Sequence, residues 1–187
     1  MRNLKTDLQF SLNELKHELH DIDRVVEKLA LRISPEQFKQ AKSELEQALQ
    51  AEMKWVLLSD KNYPVLLRQC DDPPLILYYR GDISLLNKSL SRVLSIVGTR
   101  KMTAYGSYLI RSCIQEWASL SPVIVSGLAY GVDYCAQELA VRTDLKTVQV
   151  CAHGLDLVYP QKHRTLFKAI ERDGLVLSEY PPGTAPL

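Results

Sequence analysis

Two glycine-punctuated stretches hold the residues best suited to chemistry. The first is Gly98-Thr99-Arg100-Lys101-Met102-Thr103-Ala104-Tyr105-Gly106, which lies between an apolar run and an amphipathic one. Gly98 lets the backbone approach a ligand closely, and the helix that follows opens with unpaired amides at the positive end of its dipole. Thr99 and Thr103 add hydroxyl donors. Arg100 adds a planar fork suited to two phosphate oxygens or to stacking on a base. The second stretch is Ser126-Gly127-Leu128-Ala129-Tyr130-Gly131-Val132-Asp133. Ser126 and the amides around Gly127, through Leu128 and Ala129, offer a second phosphate seat, while Gly131 permits close helix–strand approach. Spacing alone leaves two readings open, a phosphate cradle or glycines that only satisfy tight turns. The second stretch does not follow the G-x-G-x-x-G dinucleotide pattern, and no Walker lysine is present. Asp133, near a helix start, reads as a capping or dipole-matched carboxylate rather than a catalyst.

The elements that must position these turns follow a regular beat from Ser91 onward. Strand 93–97 meets Gly98 and a helix over about 103–120. Strand 123–126 meets Gly127 and a helix over about 132–141. Strand 147–150 leads through Gly154 to a helix over about 161–171, and strand 175–177 closes the series. Short apolar strands alternating with amphipathic helices predict a doubly wound, mainly parallel α/β sheet covered on both faces. In such sheets ligands bind beyond the carboxyl ends of the strands, where both glycine turns fall.

Upstream the period changes. Leu4, Leu8, Leu12, Leu15, Leu19, Ile22, Val26 and Leu29 form one apolar stripe on a long helix. Ser34, Pro35 and Gln37 then make a capping box with proline in the first turn, and a second stripe runs through Phe38, Ala41, Leu45, Ala48, Leu49 and Met53. Residues 1–54 are therefore expected to be a helical hairpin, its stripes serving packing between the two helices or self-association. Residues 55–187 are expected to form the α/β domain, opening with a strand at 55–58, a brief helix from Tyr63, a turn at Asp71-Asp72-Pro73-Pro74 and a strand at 75–79.

Composition narrows the class. With 187 residues and 46% hydrophobic content, the chain can bury one good core and a smaller appendage. No apolar run approaches the roughly 18 residues a membrane span needs, and the N-terminus lacks a signal-peptide core. A cytoplasmic protein is expected. Cys70, Cys113, Cys135 and Cys151 form no metal or redox spacing and read as reduced thiols, so neither metal nor cofactor is expected. A net charge of +1 leaves the partner undecided.

A set of short motifs in fixed order is more specific. Tyr63-Pro64-x-Leu66-Leu67, Pro73-Pro74-x-x-Leu77-Tyr78-x-Arg80-Gly81-Asp82 and Leu86-Asn87 come first. Ile96-Val97-Gly98-Thr99-Arg100, Tyr105-Gly106 and Ser126-Gly127-Leu128-Ala129-x-Gly131-x-Asp133 follow. Gly154-Leu155-Asp156-x-Val158-Tyr159-Pro160 and Leu177-Ser178-Glu179-Tyr180-Pro181-Pro182-Gly183-Thr184 complete the set. Together they resemble the DprA/Smf family of DNA-processing proteins over roughly residues 55–187. The resemblance implies a Rossmann-like fold and a non-catalytic homodimer that binds single-stranded DNA and helps load the RecA recombinase during natural transformation. By motif position, Gly98, Thr99, Arg100 and Thr103 would line the phosphate pocket beside Ser126, Gly127, Leu128 and Ala129. Lys101, Tyr130, His163 and Arg164 would add contacts, with His163 either touching DNA or capping a helix. His153 reads as structural.

Three features depart from the family pattern. Residues 1–54 hold no Gly-x-Gly hairpin, so that region's role does not carry over. Tyr130 stands where the family often has arginine, exchanging a phosphate contact for a stacking surface. The sequence ends at Leu187, where the family continues with a basic Phe-Pro-x-Arg-Asn-Arg stretch, which suggests C-terminal truncation and weakened DNA binding. Two other functions compete. One is a nucleotide or phosphoribosyl hydrolase of the lysine-decarboxylase-like class, suggested by Pro181-Pro182-Gly183-Thr184. The other is an interaction module that does not bind nucleic acid.

Overall fold

The computed structural model describes residues 34–88 and 92–186. The helix read at 4–29 lies outside them. Its partner is present as α1 (Pro35–Gln50), and it begins as its sequence dictates. Ser34 Oγ accepts from the Gln37 amide at 3.2 Å, and Gln37 Oε1 accepts from the Ser34 amide at 3.0 Å. Two otherwise orphaned donors are thus satisfied reciprocally. Of the second apolar stripe, Ala48 and Met53 are buried, whereas Leu49 is exposed. The buried pair packs with Tyr78, Phe167 and Ile170, so this end of α1 belongs to the core of the sheet.

Along the chain come β1 (Lys54–Leu57), α2 (Val65–Arg68), β2 (Ile76–Gly81), α3 (Leu85–Lys88), β3 (Val93–Ser95) and α4 (Ala104–Trp117). Then follow β4 (Val123–Ser126), α5 (Val132–Arg142), β5 (Thr147–Cys151), α6 (Arg164–Asp173) and β6 (Leu175–Ser178). The strands form one six-stranded sheet in the order β1-β2-β6-β5-β4-β3. β3, β4, β5 and β6 pair in parallel, each joined to the next by a helix, while β2 and β1 extend the sheet antiparallel beyond β6. The mainly parallel α/β sheet expected from the strand–helix beat is therefore present. The antiparallel flank was not apparent from its periodicity.

Both faces are covered, by unequal layers. Because each crossover steps to the adjacent strand in the same direction, right-handed connections put α4, α5 and α6 on one face. There Ile124 packs with Ile110, Ile114 and Leu139, and Val176 packs with Phe167 and Ile170. On the other face Val123, Val148, Leu175 and Leu177 meet Tyr63, Ile83 and side chains of α2 and α3. β4, β5 and β6 are largely buried on both sides, which explains their apolar runs without strict alternation, whereas the edge strand β3 leaves Leu94 and Ser95 exposed. Gln137 Nε2, buried on the helix face, donates to Thr147 Oγ1 at 3.2 Å and to the Val148 carbonyl at 3.0 Å, while the Oε1 atoms of Gln137 and Gln149 are buried without a hydrogen-bond partner.

One ionic tie joins three elements. Arg80 on β2 donates from Nη1 to Glu171 Oε1 on α6 at 2.8 Å and from Nη2 to the Ala51 carbonyl, after α1, at 2.7 Å. Lys168 donates to the other Glu171 oxygen at 2.6 Å. Burial pushes the Glu171 carboxyl up, but hydrogen bonds from Lys168 and Arg80, with their charges, outweigh it and hold the group below its ordinary value. A depressed native pKa stabilises the fold at neutral pH. That contribution fades as pH drops below the usual glutamate range, about 4.3, and is gone below the native value. Glu171→Gln is therefore expected to cost about 1.5–3 kcal/mol at pH 7 and progressively less on acidification. Urea unfolding of both proteins at pH 7 and pH 3 measures this; equal differences at the two pH values would contradict it.

Candidate functional site

Because β3, β4 and β5 run in parallel, the turns that leave them lie side by side at one edge of the sheet. The turn after β3 begins at Ile96 and ends at Thr103, whose hydroxyl caps α4 by accepting from the Gly106 amide at 3.1 Å. Thr99 Oγ1 accepts from the Lys101 amide at 3.1 Å, which tightens the turn locally. The turn after β4 begins at Gly127 and ends at Gly131, where α5 starts. Gly131 has φ +83°, and a Cβ there would collide with the carbonyls of Thr99 and Arg100. Glycine at 131 is thus what lets the second turn lie against the first.

The two turns are joined through Asp133, in the first turn of α5. Its carboxylate is only 7% exposed. Oδ1 accepts from the Gly98 amide at 3.3 Å and Oδ2 from the Gly127 amide at 3.2 Å. A Cβ at residue 127 would sit 2.9 Å from Oδ2, so Gly127 makes room for this carboxylate. The Val132 amide donates to the Thr99 carbonyl at 3.2 Å, adding a second bond between α5 and the first turn.

These contacts correct part of the sequence reading. Gly98 was expected to let a ligand approach the backbone and the amides around Gly127 to seat a phosphate, but the Gly98 and Gly127 amides are both engaged by Asp133. Ser126 is buried, and its hydroxyl donates to the Ile96 carbonyl at 2.6 Å, so it braces β4 against β3 and is not a phosphate donor. Leu128 is a core side chain with φ +56°. His163 is buried as well. Its Nδ1 lies 2.9 Å from the Leu128 carbonyl, an oxygen that only accepts, so the ring donates there. It makes no side-chain cap for α6. Its ring instead packs edge-on to Tyr130 (centroids 4.9 Å apart) and against Tyr134 (4.4 Å).

The remaining candidates face outward. Thr99, Arg100, Lys101, Thr103, Tyr130 and Arg164 are exposed, and Ala129 is half-buried. Among the described residues the Arg100 guanidinium has no ion-pair or hydrogen-bond partner, and the Ala129 and Tyr130 amides donate to no acceptor. Arg100 borders a cleft of about 180 Å³ that also takes in Tyr130, His153, Tyr159 and Pro186. Tyr130 and Tyr159 are 43% and 44% exposed, so their rings are available to a flat ligand.

Tyr159 was not singled out from the sequence as a site residue, although it stands in one of the family motifs. Neither was Asp156, which accepts from the Gly183 amide at 3.0 Å and so holds the Pro181–Thr184 loop over the 153–160 segment. The cleft also reaches Cys151. Burial pushes its thiol up to about 12, partly opposed by a hydrogen bond from Gln149, so it is protonated at neutral pH and unlike an activated nucleophile. His153 Nδ1 lies 2.9 Å from the Gly154 carbonyl, a contact within its own loop. Among the described residues no group of three His, Cys, Asp or Glu side chains could hold a metal ion, and no helix is long and apolar enough to cross a membrane.

The carboxyl edge of this mainly parallel α/β sheet thus carries a cleft where Arg100, without a partner among the described residues, stands beside exposed aromatic rings and the Asp133 carboxylate. The chain belongs to the DNA recombination-mediator protein A family, whose model matches residues 54–187. It is 39% identical over 144 residues to Protein Smf of Synechocystis, covering 76% of this chain and 36% of that protein. It is 37% identical over 129 residues to the DNA processing protein DprA of Bacillus subtilis, covering 69% and 43%. The chain thus spans less than half the length of these relatives.

Two solved structures share the fold. The X-ray structure of DprA from Streptococcus pneumoniae superposes with a TM-score of 0.68 at 32% identity, covering 88% of this chain and 54% of that one. DNA processing protein A from Helicobacter pylori, described for its single-stranded DNA binding mode, gives 0.62 at 33% identity, covering 73% and 60%.

The contact between the two turns can be tested directly. Gly131→Ala forces a left-handed φ on a residue with a side chain and drives its Cβ into the first turn. It should cost about 1–3 kcal/mol. Chemical denaturation measures this, and an unchanged midpoint would contradict the packing described.

Proposed function

We propose that this chain binds single-stranded DNA through the carboxyl edge of its parallel sheet and serves as a recombination mediator acting with RecA. The observation that carries the reading is the unpaired Arg100 guanidinium at the mouth of a cleft walled by Tyr130 and Tyr159. A planar fork grips two phosphate oxygens at once, and aromatic faces accept any base by stacking. Lys101, Thr99, Thr103 and Arg164, with the amides of Ala129 and Tyr130, extend the contact along a strand. Gly98, Gly127, Ser126, Leu128 and His163 shape the site from within. The single-stranded DNA binding mode described for the Helicobacter pylori relative supports the same ligand here.

In this reading, residues 55–187 are the DNA-processing unit and residues 1–54 a helical region, of which Ala48 and Met53 pack into the core of that unit. Loading of RecA, a role in natural transformation, homodimerisation and a cytoplasmic location belong to the same proposal, as does a function by binding rather than catalysis. The hydrolase alternative draws no support from the Pro181–Thr184 loop. There the Gly183 amide donates to Asp156 and the Thr184 hydroxyl to the Pro181 carbonyl.

Arg100→Ala should weaken binding of a short single-stranded oligonucleotide by about 1.5–3 kcal/mol, the worth of a charge-assisted hydrogen bond. Affinity of the parent should fall with salt, with a log–log slope near about −0.7 for each phosphate neutralised. Fluorescence anisotropy across a salt series, with a matched duplex for comparison, reads both. Equal affinity of the parent and Arg100→Ala proteins would remove Arg100 from the interface.

A further inference from the structure

We infer that Asp133 is the positioning residue of this interface: its buried carboxylate latches the two glycine turns together and thereby sets the direction in which Arg100 leaves the fold. The inference deepens the proposed function and rests on Arg100 contacting DNA. Three observations carry it. The carboxylate is buried and spans the turns, one oxygen on the Gly98 amide and the other on the Gly127 amide. A buried carboxylate is tolerated only with such hydrogen bonds, and at the first turn of α5 the helix dipole also favours its charge. The Val132 amide holds the Thr99 carbonyl, so residues 98 and 99 are gripped on both sides immediately before Arg100. Finally, Gly98, Gly127 and Gly131 each lack the Cβ that would obstruct this arrangement; at Gly98 it would lie 2.9 Å from the Val132 side chain.

The geometry also separates two ways of recognising phosphate. If the Gly98 and Gly127 amides bound the ligand, they would exchange Asp133 for phosphate when DNA arrives. If Asp133 is a latch, those amides stay with it, and side-chain cations make the outward contacts. The Asp133 carboxylate, which lines the cleft beside Gly127, also disfavours a phosphate entering between the two glycines, which keeps the strand at the level of Arg100.

Asp133→Asn is the sharpest substitution because it preserves shape. An asparagine has one carbonyl oxygen and one amino group, so it can accept from only one of the two amides and opposes the other with a donor. The full chain carrying Asp133→Asn should bind a short single-stranded oligonucleotide about tenfold more weakly than the parent. In an Arg100→Ala background the same change should leave affinity within about twofold, since there is no guanidinium left to position. Losses that add in the double variant, or full affinity in Asp133→Asn, would overturn the inference while leaving the DNA-binding reading intact.

Amide hydrogen exchange supplies a readout that needs no variant. Gly98 and Gly127 should be protected in the free parent protein and unchanged by oligonucleotide. Rapid exchange in the free protein, or protection that appears only with oligonucleotide, would show that the amides serve phosphate and overturn the latch. A parent protein that binds no oligonucleotide yet protects both amides would retain the latch as architecture and reject both the DNA-binding reading and the positioning role.

Discussion

A carboxylate taken out of water must be answered by hydrogen bonds, and at Asp133 those bonds come from two loops that are distant in sequence. Strand pairing brings β3 and β4 alongside one another, but it does not by itself dictate how the segments after them turn. The Asp133 oxygens on the Gly98 and Gly127 amides, together with Val132 on Thr99, convert two separate turns into one rigid edge. Ser126 adds a tie one layer deeper by donating to the Ile96 carbonyl. Thr99, Arg100, Lys101, Ala129 and Tyr130 are displayed from this edge, while Tyr159 and Arg164 come from the segment that follows β5.

A division of labour follows between inward and outward residues. Inward groups are satisfied within the protein: Ser126 with Ile96, His163 with Leu128, and the glycine amides with Asp133. Outward groups are left with unspent capacity, chiefly Arg100 and the rings of Tyr130 and Tyr159. His163 shows how the two sets are connected. Its ring nitrogen fixes the backbone at Leu128 while its face and edge support Tyr134 and Tyr130. An exposed aromatic platform is useful only if it is held still, and here a buried histidine holds it.

Local rules were readable from the sequence because their partners are near neighbours. The capping box of Ser34 and Gln37 and the alternation of strands and helices involve separations of a few residues or a short repeat, whereas Thr103, read as a phosphate donor, instead accepts from the Gly106 amide as the cap of α4. Thr99, Arg100 and Lys101 could be named as candidates because they stand together directly after Gly98, and the structure leaves all three exposed. Bonds across loops were not legible. Residue type marks Ser126 as a hydroxyl donor without saying that the Ile96 carbonyl accepts its hydrogen bond. It marks Gly127 as permissive without saying that a carboxylate six residues later fills the space. Asp133 was recognised as suited to a helix start, but its bridging role depends on strand register, which periodicity does not encode. The antiparallel flank of β1 and β2 and the burial of Ala48 and Met53 against the sheet were hidden for the same cause.

The character of the outward groups bears on what such an edge can discriminate. Contacts to phosphate fix a strand's position without reading its bases, and stacking on tyrosine tolerates any base because each has a π-face. A fork such as Arg100 can read a guanine edge when a rigid helix aims it into a groove, yet here it sits on a turn beside open aromatic faces. In the proposed role, then, recognition depends on the form of the nucleic acid. A single strand can splay bases onto Tyr130 and Tyr159 while its backbone runs past Arg100 and Lys101, whereas a duplex keeps its bases stacked and loses those contacts. Tolerance of sequence joined to selectivity for strandedness is what a recombination mediator requires, because the strands it handles share no common sequence.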